Sequence, residues 1–240
     1  MVDHKKPFMD TLLITGANRG IGLEFCKQYA ASGWRVLACC REPGKADALK
    51  QLAARHPDLI QLHALDVTDH AQIERLAQSL SKESVDLLIN NAGVYPAADR
   101  RGFGHTDYAE WTAAFNINTM APLKMVESFI EQIARSQQKL IVTITSQMGS
   151  VDDNRSGGSY LYRSSKAAAN MVVKSLAVDL KGRGITSVAF NPGWVKTDMG
   201  GPNAMIGVER SVADMRKVIA GLTLADTGKF IGNDWAVIPW

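Results

Sequence analysis

Short apolar runs alternate with longer helical patterns along the whole chain, and this alternation restricts the fold more than any other feature. Residues 11–15, 35–40, 59–67, 85–90, 139–145, 185–190 and 229–231 read as strands. Helical spacing fills 21–32, 45–55, 69–81, 107–136, 160–181 and a segment ending near Leu222, with Asp69 placed to cap the third helix. The strands are apolar without interruption, which predicts a parallel sheet buried under helices on both faces. Right-handed crossovers then favour a doubly wound α/β sheet, Rossmann-like, of about seven strands. No repeat or linker divides the chain, so residues 9–240 are expected to form one domain after a short mobile arm at 1–8. The Gly/Pro-rich stretch at 191–207 lies too near the C-terminus to separate two domains; it reads as a mobile flap, with a lid near 194–210.

The rest of the composition mostly excludes. A net charge of +3, spread without a basic run, gives no nucleic-acid groove. Cys26, Cys39 and Cys40 form no disulfide framework, and Cys39 and Cys40 read as small buried strand residues. The five histidines show no metal-ligand spacing, so no metal site is expected. The first nine residues lack the apolar core of a signal peptide, and no run is long enough to span a membrane. A cytoplasmic setting is the expectation.

Directly after the first strand comes Gly16-Ala-Asn18-Arg19-Gly20-Ile21-Gly22. At a strand-to-helix turn the first backbone N–H groups of the helix lack partners and attract a phosphate. Glycines there keep side chains out of the way of a pyrophosphate. Further motifs follow in order: Asn90-Asn-Ala92-Gly93 after the fourth strand, Asn118 in a helix, Ser146 after the fifth strand, Tyr162-Arg-Ser-Ser-Lys166, and Asn191-Pro192-Gly193. Over essentially the whole chain from Met9 to Trp240, this set resembles the short-chain dehydrogenase/reductase family. Residues 149–151, 157–158, 192–201 and the C-terminal stretch resemble its C-factor/sniffer-like carbonyl reductase branch.

The resemblance implies a nicotinamide cofactor held by Gly16, Asn18, Arg19, Gly20, Ile21 and Gly22. It places Cys40 where NAD enzymes often carry an acid, with Arg41 beside it. Arg19 and Arg41 suit a ribose 2′-phosphate through forked, charge-assisted hydrogen bonds, or are solvated surface arginines. The expected cofactor is therefore NADP(H). Asp66 and Val67 are implied to hold the adenine, although Asp66 also reads as a turn cap. Asn90, Ala92 and Gly93 lie at strand ends, where ligands bind in such sheets, and Asn90 also reads as a brace of the strand end. Pro192, Gly193, Val195 and Thr197 are implied at the nicotinamide carboxamide.

Tyr162 and Lys166 are four apart in a helix and share one face. A free phenol has a pKa of about 10, and a nearby ammonium lowers it toward a useful working value. The resemblance makes Tyr162 the acid/base and brings Lys166 to the nicotinamide ribose. Tyr160 lacks a lysine four residues on. Ser146 is expected to donate to the substrate oxygen, with Thr145 and Ser150 as alternatives and a turn cap as its plain reading. Its separation from Tyr162 is a few residues longer than the family norm, and the surplus falls at 152–158. Asn118 matches the asparagine that positions a relay water, or else only kinks its helix. Tyr95, Met148 and Trp194 are either pocket walls or core. Two functions result: NADPH-dependent reduction of an aldehyde, ketone or quinone, or an NADP(H)-binding regulatory or signalling protein with little turnover. Family members are typically homodimers or homotetramers.

Overall fold

The computed structural model describes residues 9–240; the arm expected at 1–8 lies outside them. The strands are β1 (Thr11–Thr15), β2 (Arg35–Cys40), β3 (Ile60–Ala64), β4 (Leu87–Asn90), β5 (Leu140–Ile144), β6 (Thr186–Asn191) and β7 (Phe230–Gly232). The helices are α1 (Gly20–Ala31), α2 (Asp47–Arg55), α3 (His70–Ser79), α4 (Tyr108–Phe115), α5 (Ala121–Ala134), α6 (Tyr160–Leu180) and α7 (Val208–Gly221). The strands form one sheet in the order β3-β2-β1-β4-β5-β6-β7, and every pairing is parallel.

Period-two alternation distributes the strand side chains between two cores. Leu12 and Ile14 of β1 join Phe25, Leu49, Val142 and Met215 on the face covered by α1, α2 and α7. Leu13 joins Ile73, Leu88, Phe129, Ile141 and Leu176 on the face covered by α3, α5 and α6. Both faces are covered by helices, which explains why the strands read as unbroken apolar runs. Cys26, Cys39 and Cys40 are all buried and unpaired by disulfide. Asp69 caps α3 by accepting the Gln72 N–H at 2.9 Å.

The chain winds outward from β1 to β3, then returns and winds the other way from β4 to β7. The reversal opens a crevice at the carboxyl ends of β1 and β4, the place where ligands bind in open α/β sheets. Two elements differ from the sequence reading. The expected strand at 59–67 stops at Ala64, leaving Asp66 and Val67 in the following turn. The long helix expected at 107–136 is broken into α4 and α5 by a π-helical turn, Asn116–Met120. Among the described residues, no helix is long and apolar enough to cross a membrane, and no cluster of three or more potential metal ligands occurs.

Candidate active site

The glycine turn at 16–22 leaves the carboxyl end of β1 and closes on itself. A Cβ on Gly22 would lie 2.2 Å from the Gly16 carbonyl oxygen, so only glycine permits this approach. Thr15 and Asn91 tie the turn to β4. The Thr15 hydroxyl accepts from the backbone N–H groups of Asn91 (3.1 Å) and Ala92 (3.0 Å). The Asn91 amide donates back to the carbonyls of Thr15 (2.9 Å) and Gly16 (3.1 Å). Asn90, singled out from the sequence, is instead buried. Its amide faces the Pro122 carbonyl and the Thr143 hydroxyl at 3.4 and 3.5 Å, bracing β4 against α5 and β5. Its neighbour Asn91 does the work at the crevice.

Asn118 sits in the π-helical turn, where the helix deviates as the kinking reading expected, and its amide is bonded within the protein. Its Oδ1 accepts from Val94 N–H at 2.9 Å, and its Nδ2 donates to the Val94 carbonyl and the Ser165 hydroxyl, both at 3.0 Å. The Lys166 ammonium donates to the Ile144 carbonyl at 3.0 Å, at the end of β5. A Cβ on Gly93 would come within 3.3 Å of Asn118 Oδ1 and 3.4 Å of Lys166 Nζ. A bare backbone at 93 thus keeps open the space where the amide and the ammonium converge. Tyr162 lies one turn before Lys166, its ring centroid 5.7 Å from the ammonium and 4.7 Å from the Tyr95 ring. Ser146 caps the short turn at 147–149: its hydroxyl oxygen accepts from Met148 N–H at 3.2 Å. That bond occupies the oxygen and leaves the O–H proton to point elsewhere.

The start of α6 has a cap that sequence reasoning missed. Ser159, before the helix, has φ +46° and offers no side-chain cap. Asp99 supplies one from sixty residues upstream: its two carboxylate oxygens accept from the N–H groups of Leu161 (2.9 Å) and Tyr162 (2.7 Å). Asp99 is buried, and its charge suits the positive end of a helix. Nothing local marks it, because it stands in an Asp-Arg-Arg stretch that reads as solvated surface.

Burial governs the ionisation of the pair. It pushes the Tyr162 phenol up to about 12; the Ser146 side chain pulls the other way as a hydrogen-bond partner, and Tyr95 adds to the rise. Burial alone brings Lys166 down to about 8. The sequence expectation was of a phenol acidified by the neighbouring ammonium, and the structure corrects it. Both groups are desolvated, the ammonium is directed at the Ile144 carbonyl, and desolvation outweighs their attraction. At neutral pH the phenol therefore keeps its proton.

At the other end of the crevice, Arg41 is exposed beside the end of β2. Arg19 is exposed as well and pairs with Asp198 at 3.0 Å, a contact worth little in solvent. Asp66 accepts from Thr68 N–H (2.9 Å) and the Thr68 hydroxyl (2.7 Å), which hold its carboxyl below its usual range; the turn-capping reading is realised. The Val67 side chain packs into the core under α3.

The stretch 194–207 is folded back on itself. Val195 bridges to Ile206, the Trp194 indole donates to the Gly200 carbonyl at 2.8 Å, and Gly200 N–H donates to the Thr197 hydroxyl at 3.1 Å. With the 147–156 loop it encloses a cleft of about 520 Å³. Ile21, Ser146, Tyr162, Pro192, Gly193, Val195 and Thr197 all border this cleft, as does Thr145. Tyr95, Met148 and Trp194 are cleft walls; Trp194 is 52% exposed. Ser150 is buried and donates to the Trp240 carbonyl at 3.3 Å, so it takes no part in the cleft.

Comparison with known proteins agrees with this geometry. The family model described as short chain dehydrogenase matches residues 10–205. The C-signal protein of Myxococcus xanthus is 40% identical over 65% of this chain and 93% of its own length. The NADPH-bound carbonyl reductase from chicken fatty liver is 35% identical, with a TM-score of 0.89 over 97% of this chain and 99% of that one. The carbonyl reductase Sniffer of Drosophila melanogaster is 29% identical, with a TM-score of 0.89 over 97% of this chain and 100% of that one. With the family model spanning most of its length and the sheet order, glycine turn and Tyr162–Lys166 helix arranged around one crevice, the chain belongs to the short-chain dehydrogenase family.

Proposed function

We propose that the protein is an NADP(H)-dependent oxidoreductase that reduces the carbonyl group of an aldehyde, ketone or quinone, with Tyr162 as the proton donor. The observation that carries the reading is the convergence on one cleft of a protonated phenol and the serine hydroxyl that is its hydrogen-bond partner. The cofactor fits the residues present. The glycine turn offers unobstructed backbone at a helix N-terminus, and the bare Gly93 keeps space beside Lys166 and Asn118. Gly16, Asn18, Arg19, Gly20, Ile21 and Gly22 would cradle the pyrophosphate. Arg41, with Arg19 released from Asp198, would take a ribose 2′-phosphate, and no acid at position 40 opposes it. Asp66 and Val67 would border the adenine. Ala92, Gly93, Pro192, Gly193, Val195 and Thr197 would line the nicotinamide end, and Asn90 would act only by bracing β4.

When bound, the nicotinamide supplies the hydride. Ser146 orients the substrate oxygen through its O–H, and Tyr162 gives that oxygen its proton. A neutral, buried phenol suits this direction, because an acid must hold its proton until charge develops on the acceptor. Lys166, anchored on Ile144, keeps two further N–H donors for the nicotinamide ribose and the proton path. Asn118 fixes the Val94 backbone beside it. The flap at 194–207 serves as the lid. A cytoplasmic homodimer or homotetramer belongs to the same reading.

The likeness to the M. xanthus C-signal favours a second reading, a cofactor-binding regulatory or signalling protein with little turnover. The intact set Asn118, Ser146, Tyr162 and Lys166 supports the enzyme instead. A panel of aldehydes, ketones and quinones followed by loss of NADPH absorbance decides between them. Oxidation of NADPH is expected. Cofactor binding without turnover on every compound would overturn the enzyme reading.

A further inference from the structure

Three charged residues line the 520 Å³ cleft: Asp153, Arg155 and Arg163. Asp153 is engaged, accepting from the Gln147 amide at 2.5 Å. Arg163 is held on three sides. It donates to the Met148 carbonyl (3.3 Å), the Ser156 hydroxyl (2.8 Å) and the Gly157 carbonyl (3.3 Å). All three acceptors are neutral, so the guanidinium is fixed in place while its charge stays uncompensated. Arg155 makes no hydrogen bond or ion pair among the described residues and is exposed at the cleft. The cleft lining therefore carries two guanidinium charges against one carboxylate, while Asp152, exposed on the same loop, is not among the lining residues. Elsewhere many basic side chains sit against an acid, as in Arg35–Glu83, Arg183–Glu131 and Arg210–Asp214.

The remaining walls are largely apolar: Tyr95, Met148, Trp194 and Met199. Ser146 and Tyr162 mark the reacting end. We infer that the cleft selects carbonyl compounds whose apolar or aromatic body carries a carboxylate or similar anion toward Arg155, with Arg163 adding to the field. The inference rests on the carbonyl-reductase reading of this same cleft and adds the class of substrate. Its physical basis is complementarity of charge in a concave site, where low-dielectric walls concentrate the field of fixed cations. It also gives a use to the surplus residues at 152–158: they place an arginine beside the cleft and supply two of the three acceptors that hold Arg163.

Because Arg155 is exposed, the selection is modest; a single solvated guanidinium–carboxylate pair corresponds to about a two- to fivefold preference. The test is kcat/KM with NADPH for three para-substituted benzaldehydes, bearing carboxylate, methyl or trimethylammoniomethyl. The expected order is carboxylate, then methyl, then ammonium. The carboxylate-to-methyl ratio should be about fivefold at low salt and shrink toward one in about 0.5 M salt. In Arg155→Gln the ratio should fall by about half or more, and in Arg155→Glu the order should invert. Neither variant removes a contact that holds the fold. Equal turnover of the three aldehydes, a preference for the cationic one, or a ratio unmoved by Arg155→Glu overturns the inference alone. So does refusal of all three beside ready reduction of other carbonyl compounds. Failure to oxidise NADPH with any carbonyl compound defeats the oxidoreductase reading itself and takes this inference with it.

Discussion

The buried pair Tyr162 and Lys166 determines what a single residue can do here. Tyr162→Phe removes the proton donor and leaves the ring packing on Tyr95 intact. Carbonyl reduction should fall at least about 100-fold while the unfolding transition barely moves; an unchanged kcat would remove Tyr162 from the chemistry. The same pair leaves a signature in stability. Lys166 ionises at about 8 in the fold and near 10.5 when unfolded. Between those values the unfolded chain binds more protons, so stability rises with pH. Tyr162 acts in the opposite sense over a higher window, from about 10 to about 12, because there the folded form holds the extra proton. Of this pair only the lysine operates from pH 8 to 10; the buried thiols Cys26, Cys39 and Cys40, whose ionisation burial pushes up, act in the opposite sense there and are common to the parent and the variant. Denaturant unfolding over that range should show a rising contribution that Lys166→Met abolishes; an identical slope in the variant would contradict the depressed ionisation.

Among the elements, α6 depends on a residue far from it in sequence. Asp99→Ala strips the carboxylate from the first turn and leaves the N–H groups of Leu161 and Tyr162 buried without partners. The expected loss is about 1–2 kcal/mol in denaturant unfolding, together with a lower kcat, and Asp99→Asn should recover most of both. If Asp99→Ala changed neither, the cap would carry no weight. This cap also marks the limit of what the sequence made legible. The seven strands, six of the helices' approximate places, the glycine turn and the Tyr162–Lys166 spacing all follow from local pattern, because apolar period and turn glycines are written in consecutive residues. The π-helical turn at Asn116–Met120 does not, since the side chains of Asn118 and Thr119 tie it to Val94 and Ser165, which lie 24 or more residues away. The part Asn91 plays was missed for a related reason: two identical neighbours point to opposite sides of a strand end, and only the register with β1 decides which faces the turn, while Asn90 braces the strand end as read. The ionisation of Tyr162 was misjudged from spacing alone, because spacing reports the neighbouring charge and not the loss of water around both groups.

For the whole molecule, cofactor binding and folding are one equilibrium. A ligand that binds only the folded chain raises its stability by about 2.7 kcal/mol at one hundred times its dissociation constant, or roughly 5–10 °C in melting temperature for a protein of this size. NADPH should protect more than NADH at equal concentration, and Arg41→Ala should narrow the gap chiefly by weakening NADPH. Equal protection by both cofactors would reject the assignment of the 2′-phosphate to this corner of the crevice.

In the proposed mechanism the sheet end and α6 hold the groups that move a proton, whereas the cleft's outer walls come from two loops, 147–156, tied to the Trp240 carbonyl, and 194–207, tied to itself. Chemistry and taste are therefore written in separable parts of the chain. Under that mechanism, descendants of this sequence can trade one carbonyl diet for another by exchanging loop residues while Tyr162 and Lys166 stay where they are.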